Sequence, residues 1–338
     1  MTAVITLLLT LGWGLFFIVV LPGDYGLAND RTFGLGLAFT AFTLGARHAF
    51  DADHIAAIDN TTRKLVNEGG QPISVGFWFA LGHSTIVLFA VALLAAGLNG
   101  LADQLSDDGS ALATITATWG VVVSGTFLIL IGTVNLASLT RIWRTFRRLS
   151  AGNYSEEELE EQLQDRGVVG RVLGPLARRI DKPWKMYPVG LLFGLGFDTA
   201  TTIGLFVIGS GAALAAPWYV VLVLPILFAG GMTLFDTIDG IFMNRAYAWA
   251  IARPVRKVYY NLTVTVLSVL VAYLVGGVAL LGLLAVSIRA DAGPLAWIAS
   301  LELDSFGFII VAVFLMTWLG SIAFWKLSQP QGRYPARE

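Results

Sequence analysis

The 338-residue chain contains no cysteine and only three histidines, His48, His54 and His83. Without cysteine, neither a disulfide framework nor a thiolate metal site can form. Charged residues make up only 13% of the chain, about half of their share in soluble domains. The net charge of -1 gives no indication of nucleic-acid binding. No G-x-x-x-x-G-K-[ST] sequence is present, which excludes a phosphate-binding loop of that type.

Apolar residues are abundant instead, at 56% of the chain, and the mean hydropathy is +0.72. A transmembrane helix needs roughly 20 mostly apolar residues. Eight stretches meet this requirement, at about 3–22, 34–59, 74–98, 113–138, 188–212, 217–243, 258–286 and 305–326. We refer to them as helices one to eight, and they predict an all-α polytopic membrane protein. Helix one has no basic flank and no small-residue cleavage site, so we expect a retained helix rather than a signal peptide.

Basic residues predict the orientation of these helices. Of the 22 Lys and Arg residues, 19 lie on the connections after helices two, four and six or at the C-terminal end. The connections on the other side hold only Arg31 and Arg289. We therefore expect eight transmembrane helices with both termini in the cytoplasm.

The longest connection, residues 140–187, separates two transmembrane halves at 1–139 and 188–338. It is strongly basic, and Ser155 with Glu158 forms a capping-box pattern that predicts a short acidic helix. We interpret this segment as a solvated cytoplasmic connector, which its composition favours over a regulatory module.

Helix two carries six ionisable residues in a span that should be apolar: Arg47, His48, Asp51, Asp53, His54 and Asp59. Charges inside membrane helices are costly and usually functional. On an ideal helix, His48, Asp51 and His54 share an arc of about 120°. Asp53 points about 100° away from His54, so either the helix is distorted or Asp53 supports the site from outside.

Three more helices carry polar groups close to glycine. Helix three places His83 directly after a glycine, and helix five reads GLGFDTATT, which contains Asp198 and Thr199. Helix six reads GGMTLFDTIDG, in which Asp236 and Asp239 are three residues apart. Glycine lets helices approach closely and marks points at which membrane helices break.

The charges of these helices do not balance. Against one guanidinium, that of Arg47, they hold six carboxylates: Asp51, Asp53, Asp59, Asp198, Asp236 and Asp239. Because uncompensated buried anions are strongly unfavourable, we expect the bundle to bind cations, which are metal ions, protons or both. Imidazole and carboxylate without thiolate favour Ni(II), Co(II), Zn(II) or Mn(II) over Cu(I).

The string RHAFDADHIAAIDNTTRK contains the pattern H-x4-D-H at His48, Asp53 and His54. It resembles the second-helix signature of the nickel/cobalt transporter (NiCoT) family. The strings LGHSTIV, LGFDTAT and GMTLFDTIDG resemble the signatures of that family's third, fifth and sixth helices. The resemblance covers essentially the whole chain, and 140–185 is its least diagnostic part. The chain departs from the pattern at Thr202, where the family usually has Glu.

The resemblance implies a permease that imports Ni(II) or Co(II) with high affinity across the cytoplasmic membrane. It also implies that His48, Asp53 and His54 are indispensable for uptake and that His83 tunes the choice of metal. Together with the charge pattern, it leads us to predict five metal-binding residues: His48, Asp51, Asp53, His54 and His83. Four further residues are expected to support this site or to couple transport to proton movement: Asp198, Thr199, Asp236 and Asp239.

The metal ion is then a transported substrate, and we expect no cofactor, no nucleotide, no nucleic-acid partner and no catalytic residue. Two alternatives stay open from the sequence. The first is a metal-binding membrane component of a multi-subunit importer that a separate ATPase energises. The second is a membrane-embedded metalloenzyme, although three histidines are too few for a di-iron oxidase and no H-E-x-x-H is present.

The two halves also contain similar short strings. Phe50-Asp51-Ala52 aligns with Phe197-Asp198-Thr199 at an offset of 147, and residues 79–82 align with 228–231 at an offset of 149. In an eight-helix topology, this similarity predicts an inverted repeat of helices two and three with helices five and six. Such repeats place the substrate near the middle of the bilayer. The alternative is chance similarity among membrane helices rich in Phe, Gly and Ala.

Overall fold

The computed structural model describes residues 1–25, 33–96, 104, 110–150, 180–196, 217–251, 254–301 and 306–328. Within these ranges all regular structure is helical and there is no strand. Five helical spans are long and apolar enough to cross a membrane, at Thr2–Gly23, Val75–Ala95, Thr114–Ala137, Trp218–Tyr247 and Thr263–Ser287. The all-α polytopic class is therefore confirmed. Asp198, Thr199, Thr202 and the capping box at Ser155 lie outside the described residues.

The helices of the first half largely follow the predicted stretches. Helix α1 covers Thr2–Leu15 and continues through a π-helical segment, Phe16–Val20, into a last turn at Leu21–Gly23. The following helices are α2 (Leu35–His48), α3 (Ala52–Asn67), α4 (Val75–Ala95) and α5 (Ala111–Ser150). Helix α5 extends well beyond the predicted end of helix four at about residue 138.

The second half begins with a short 3₁₀ turn, Pro183–Lys185. Its helices are α6 (Met186–Gly194), α7 (Trp218–Val221), α8 (Val223–Ile251), α9 (Pro254–Ser287), α10 (Pro294–Ala299) and α11 (Phe306–Ser328). Helix α6 is the described part of predicted helix five, and α8, α9 and α11 correspond to helices six, seven and eight.

Helix two is not continuous. Helix α2 ends at His48, and Asp51 has the extended backbone of an N-cap (φ -66°, ψ 143°) before α3 begins at Ala52. The Asp51 amide donates to the carbonyl of His48 across this break, at 3.0 Å. The prediction of one helix over 34–59 is therefore wrong, and the arc calculated on an ideal helix does not apply. Of the two explanations given for the direction of Asp53, the structure supports the distorted helix.

Helix α3 is the most polar of the long helices in the described ranges, yet it lies in the centre of the bundle. It packs against α4, α5, α8, α9 and α11, and His54 and Ile55 through Val66 are all buried. Arg63 and Lys64, which the sequence places on an exposed connection, lie inside this helix with exposed fractions of 1% and 4%. That part of the prediction is wrong, because the helix continues to Asn67. The polar groups of α3 must be satisfied within the protein.

Two of the helix pairs that touch through glycine join helices of the histidine cluster to the other half. Where α2 meets α8, a Cβ on Gly45 would overlap the carbonyl oxygen of Phe228, and one on Gly231 would overlap that of Phe42. Where α4 meets α6, a Cβ on Gly82 would overlap the Tyr187 carbonyl and one on Gly190 the Phe79 carbonyl. Each half thus contributes one helix to each pair.

Helices α3 and α8 run in the same direction. His54 of α3 contacts Asp236 of α8, and one turn further a Cβ on Gly240 would lie 3.7 Å from Ile58. Residue numbers therefore increase in the same direction along both helices, which is the relation expected between a second and a sixth crossing of a membrane.

Candidate metal centre

The three histidines of the chain come together at the break in helix two. His48 is the last residue of α2, His54 lies in the first turn of α3, and His83 lies in the middle of α4. One ring nitrogen from each lies within 4.8 Å of the other two. The ring centres are separated by 4.5 Å for His48 and His54 and by 4.9 Å for His54 and His83. The break makes this possible, because it lets two segments of the same chain face each other.

His48 is held by a carboxylate and points at a second imidazole. Its Nδ1 lies 2.5 Å from Asp51 Oδ2, and its Nε2 lies 3.3 Å from His83 Nε2. A hydrogen on Nδ1 that is donated to Asp51 leaves the lone pair of Nε2 for a metal ion, the arrangement in which metal-binding histidines are usually held.

His54 has the same arrangement with a carboxylate from the other half of the chain. Its Nδ1 lies 3.3 Å from Asp236 Oδ2, and both side chains are almost fully buried. Its Nε2 is buried and has no hydrogen-bond partner among the described residues. An orphaned imidazole nitrogen in a low-dielectric interior is unfavourable, and a bound cation would satisfy it.

The spacing of the nitrogens suits a shared metal ion. Imidazole nitrogens bind first-row metals at about 2.0–2.1 Å, so two ligands of one ion lie roughly 3.0–3.4 Å apart. The 3.3 Å between His48 Nε2 and His83 Nε2 falls in this range. Small movements of side chains would bring His54 to the same ion.

The two aspartates of the break occupy different positions. Asp51 is the partner of His48, whereas Asp53 Oδ1 accepts the backbone N–H of His54 at 3.0 Å. Both carboxylates line the same cavity as the histidines. Asp239, one turn beyond Asp236, has a buried oxygen without a partner in the described ranges and lies outside the histidine cluster.

A cavity of about 200 Å³ adjoins the cluster. Since one water molecule occupies about 30 Å³ in the liquid, an ion can be present with several waters. Its lining is completed by residues of α5, α6 and α9 and by the turn after α6: Gly120, Val121, Ser124, Leu128, Phe193, Gly196, Val275 and Ala279.

A second polar cluster lies further along α3 and was not predicted. Tyr247 donates from its hydroxyl to Asp59 Oδ1, and Arg63 donates to the Thr265 hydroxyl. Arg63 is therefore a buried guanidinium, whereas Arg47 is exposed, so the predicted balance of six carboxylates against Arg47 alone is wrong. The string DNTTRK at residues 59–64 is the sequence signal of this cluster. It indicates buried groups only if the helix is predicted to continue to Asn67, as it does in the structure.

Comparisons with known proteins relate the sequence to a family. The sequence profile of the family described as high-affinity nickel-transport protein matches residues 34–324. No solved structure matches the chain.

Several curated proteins match over most of their length. The nickel transporter NicT of Mycobacterium tuberculosis is 49% identical over 335 residues, which are 99% of this chain and 90% of that protein. The nickel transporter NixA of Staphylococcus aureus is 42% identical and covers 98% of this chain and 95% of its own. The cobalt transport protein NhlF of Rhodococcus rhodochrous is 38% identical, over 86% of this chain and 82% of its own.

Proposed function

This chain belongs to the family of high-affinity nickel-transport proteins, and on that premise we propose that it imports Ni(II) or Co(II) through a site at the break of helix two. The family and its named relatives are transporters rather than enzymes, and the metal is a transported substrate. We place the protein in the cytoplasmic membrane.

The observation that carries this proposal is the cluster of His48, His54 and His83. These three imidazoles are all the histidines of the chain, and they converge although they lie on three helices. Two of them are held by carboxylates through Nδ1. We assign the three histidines and Asp53 as ligands, with Asp51 as a ligand that also orients His48.

The roles of the acidic residues on the other helices follow from their positions. Asp236 orients His54 and offsets the charge of the ion, as its 3.3 Å contact supports. Asp239 is one turn further along α8 and would receive the ion or a proton after it leaves the cluster. We propose the same coupling role for Asp198 and Thr199, which lie outside the described residues.

The choice between nickel and cobalt is set at this site. Relatives are named for each metal, and mixed imidazole and carboxylate ligands accept both ions. Ni(II) generally binds such ligands more tightly than Co(II), so we propose nickel as the preferred substrate. Thr202, where the family usually has Glu, lies outside the described residues.

The membrane potential can supply the driving force. It contributes about 2.3 kcal/mol per charge for each 100 mV, and therefore roughly twice that for a dication. This would drive accumulation of about three decades without a nucleotide, in keeping with the absence of a phosphate-binding loop. We therefore propose a permease that works alone rather than as a component driven by an ATPase.

Uptake by the chain alone tests this function. Expression in a bacterial host that lacks its own nickel and cobalt importers should give saturable uptake of radioactive nickel, and collapse of the membrane potential should abolish it. An inactive chain with the His48→Ala, His54→Ala and His83→Ala substitutions serves as the control. Uptake no greater than in this control, with the protein present in the membrane, would favour the multi-subunit alternative.

We also propose eight crossings with both termini in the cytoplasm, halves at 1–139 and 188–338, and an inverted repeat. The paired contacts support the repeat, because Gly45 and Gly190 each touch a phenylalanine carbonyl, those of Phe228 and Phe79. Residues 79 and 228 are the ones that align at the offset of 149.

The orientation gives a testable expectation for the connector 140–187. A cysteine introduced at position 155 should react with a membrane-impermeant reagent only after the cells are opened. The native chain has no cysteine, so the background is negligible, and a cysteine at position 103 should react in intact cells. Labelling of position 155 in intact cells would contradict the topology.

A further inference from the structure

The two sides of the histidine cluster differ in how they are filled. On one side lies the 200 Å³ cavity, bounded by α5 around Ser124 and by α9 around Val275. On the other side, one to two turns along α3, the space is occupied by polar side chains with at most 4% exposure: Asp59, Asn60, Arg63, Tyr247, Thr265 and Ser268. We call the first the cavity side and the second the filled side.

Three side chains of the filled side join three helices. The Tyr247 hydroxyl of α8 donates to Asp59 Oδ1 of α3 and lies 3.3 Å from the Ser268 hydroxyl of α9. Arg63 of α3 donates to the Thr265 hydroxyl of α9, and its guanidinium carbon lies 5.3 Å from the centre of the Tyr247 ring. We call Asp59, Arg63 and Tyr247 the latch.

A second set of contacts ties α5 to the same level. Asn135 of α5 donates from Nδ2 to Asn60 Oδ1 at 2.8 Å, and Asn60 Nδ2 donates to the Ser268 carbonyl at 3.3 Å. Ser124 and Asn135 are 11 residues apart on α5, which is about 16 Å along a helix. The same two helices that leave a cavity on one side of the histidines are therefore bonded to α3 on the other.

The latch holds two opposite charges. Asp59 and Arg63 are one helical turn apart, so their opposite charges are neighbours on one face of α3. Removal of either would leave a buried charge without its counterpart, which is strongly unfavourable. If the latch opens, Asp59 needs another cation, and a dication leaving the histidine cluster supplies one.

We propose that the latch is the closed gate on the filled side of the metal site, which must open before a bound cation can leave in that direction. The proposal rests on the proposed function, since a carrier must expose its site to each side of the membrane in turn. The cavity leaves space beside the histidines on one side. The latch blocks the other, and Arg63 acts as a tethered cation that neutralises Asp59 while the gate is closed.

Cysteine reactivity tests the gate without any metal. Thr62 is fully buried and lies on the face of α3 that carries Asp59. The variant Thr62→Cys therefore places a reactive thiol on the filled side. Ser124→Cys reports on the cavity side. Each is combined with Tyr247→Phe, which removes only the hydroxyl that holds Asp59, and the rate of reaction with a water-soluble maleimide is measured on the purified full-length protein in detergent.

Weakening the gate should raise reactivity on the filled side alone. With Tyr247→Phe, the rate at Thr62→Cys should rise about tenfold or more, the factor expected from loss of a hydrogen bond to a charged group. The rate at Ser124→Cys should fall or stay within about twofold. The matched control is Tyr273→Phe, which removes a tyrosine hydroxyl bonded to Thr133 at 2.7 Å between α5 and α9 and should change neither rate.

Three results would overturn the proposal: no change at Thr62→Cys, an equal rise at both reporters, or an equal effect of Tyr273→Phe. If Tyr247→Phe does not fold, Thr265→Val tests the gate by removing the hydroxyl that Arg63 contacts. If neither variant folds, the latch is a structural element of the fold and not a gate. Nickel binding to the purified parent is measured separately by calorimetry. Its absence would count against the proposed function and leave the labelling result intact.

Discussion

Nickel uptake is expected to fall by more than about a hundredfold when His54 is replaced by alanine. The substitution removes the buried Nε2 that has no partner among the described residues and separates Asp236 from its imidazole. Loss of a group that only orients a ligand typically costs 10–100-fold in metal affinity. Loss of the ligand itself should cost more, because the remaining site also keeps an unpaired buried carboxylate.

His48→Ala and Asp53→Ala should have effects of the same size for related reasons. His48 bridges Asp51 and His83, and Asp53 supplies negative charge beside the histidines. The measurement is initial uptake of radioactive nickel, normalised to the amount of protein in the membrane. Asp181→Ala is the matched control for Asp53→Ala, because Asp181 is half exposed and paired with Lys185. Retained uptake in two of the three variants would mean that the metal binds elsewhere.

His83 should behave differently within the same assay. The asparagine in His83→Asn keeps hydrogen-bonding capacity but lacks the basic nitrogen that lies 3.3 Å from His48. We expect reduced uptake with an altered ratio of nickel to cobalt under competition. The reason is that carboxylates, which are harder ligands than imidazole, then form a larger share of the ligand set. An equal loss of both metals would assign His83 a purely structural role.

The sequence singles out the three histidines of the candidate site more readily than it predicts their arrangement. The unusual polarity of helix two and the rarity of histidine single out His48, His54 and His83 without a structure. Their mutual distances depend on the break at 49–51, where the backbone of Asp51 becomes extended. Periodicity cannot reveal that break, because it is calculated for a continuous helix and the chain here forms two helices.

Arg63 shows a second limit of sequence reasoning. Hydropathy ends helix two near Asp59, because the following residues are polar, and places Arg63 on an exposed connection. In the structure, five helices surround α3, and Arg63 donates to the Thr265 hydroxyl of one of them. Tertiary contacts therefore override the local signal. A polar helix can be central in a membrane protein when its neighbours supply the partners, and only the packing reveals which neighbours these are.

The contacts between helix pairs are equally hidden from hydropathy, yet they fix the site. Helix α2 ends in His48 and packs on α8 through Gly45, while α4 carries His83 next to Gly82 and packs on α6 through Gly190. Because a Cβ at either Gly45 or Gly190 would overlap a backbone carbonyl, neither helix pair can stay in place when the glycine is replaced.

Gly45→Ala and Gly190→Ala are therefore expected to destabilise the protein to a similar extent. Overpacking typically costs about 1–3 kcal/mol, and these two sites should lie at the upper end because the neighbour is backbone that cannot rotate away. Separation of α2 from α8, or of α4 from α6, would also spread the histidines, so uptake per folded molecule should fall. Thermal unfolding of the purified protein and normalised uptake measure the two effects.

Gly277→Ala is the matched control, because Gly277 lies within α9 and a Cβ there meets nothing within 4 Å. Alanine favours a helix over glycine by about 1 kcal/mol, so this variant should be unchanged or slightly more stable. Opposite signs for Gly277→Ala and the other two variants would show that contact, not helix propensity, decides the outcome. Similar losses at Gly45 and Gly190 would agree with an inverted repeat, since the carbonyls that they meet belong to Phe228 and Phe79, which align with each other. If Gly190→Ala behaves like Gly277→Ala, this support for the repeat is lost. Chance similarity would then be the better explanation of the aligned strings.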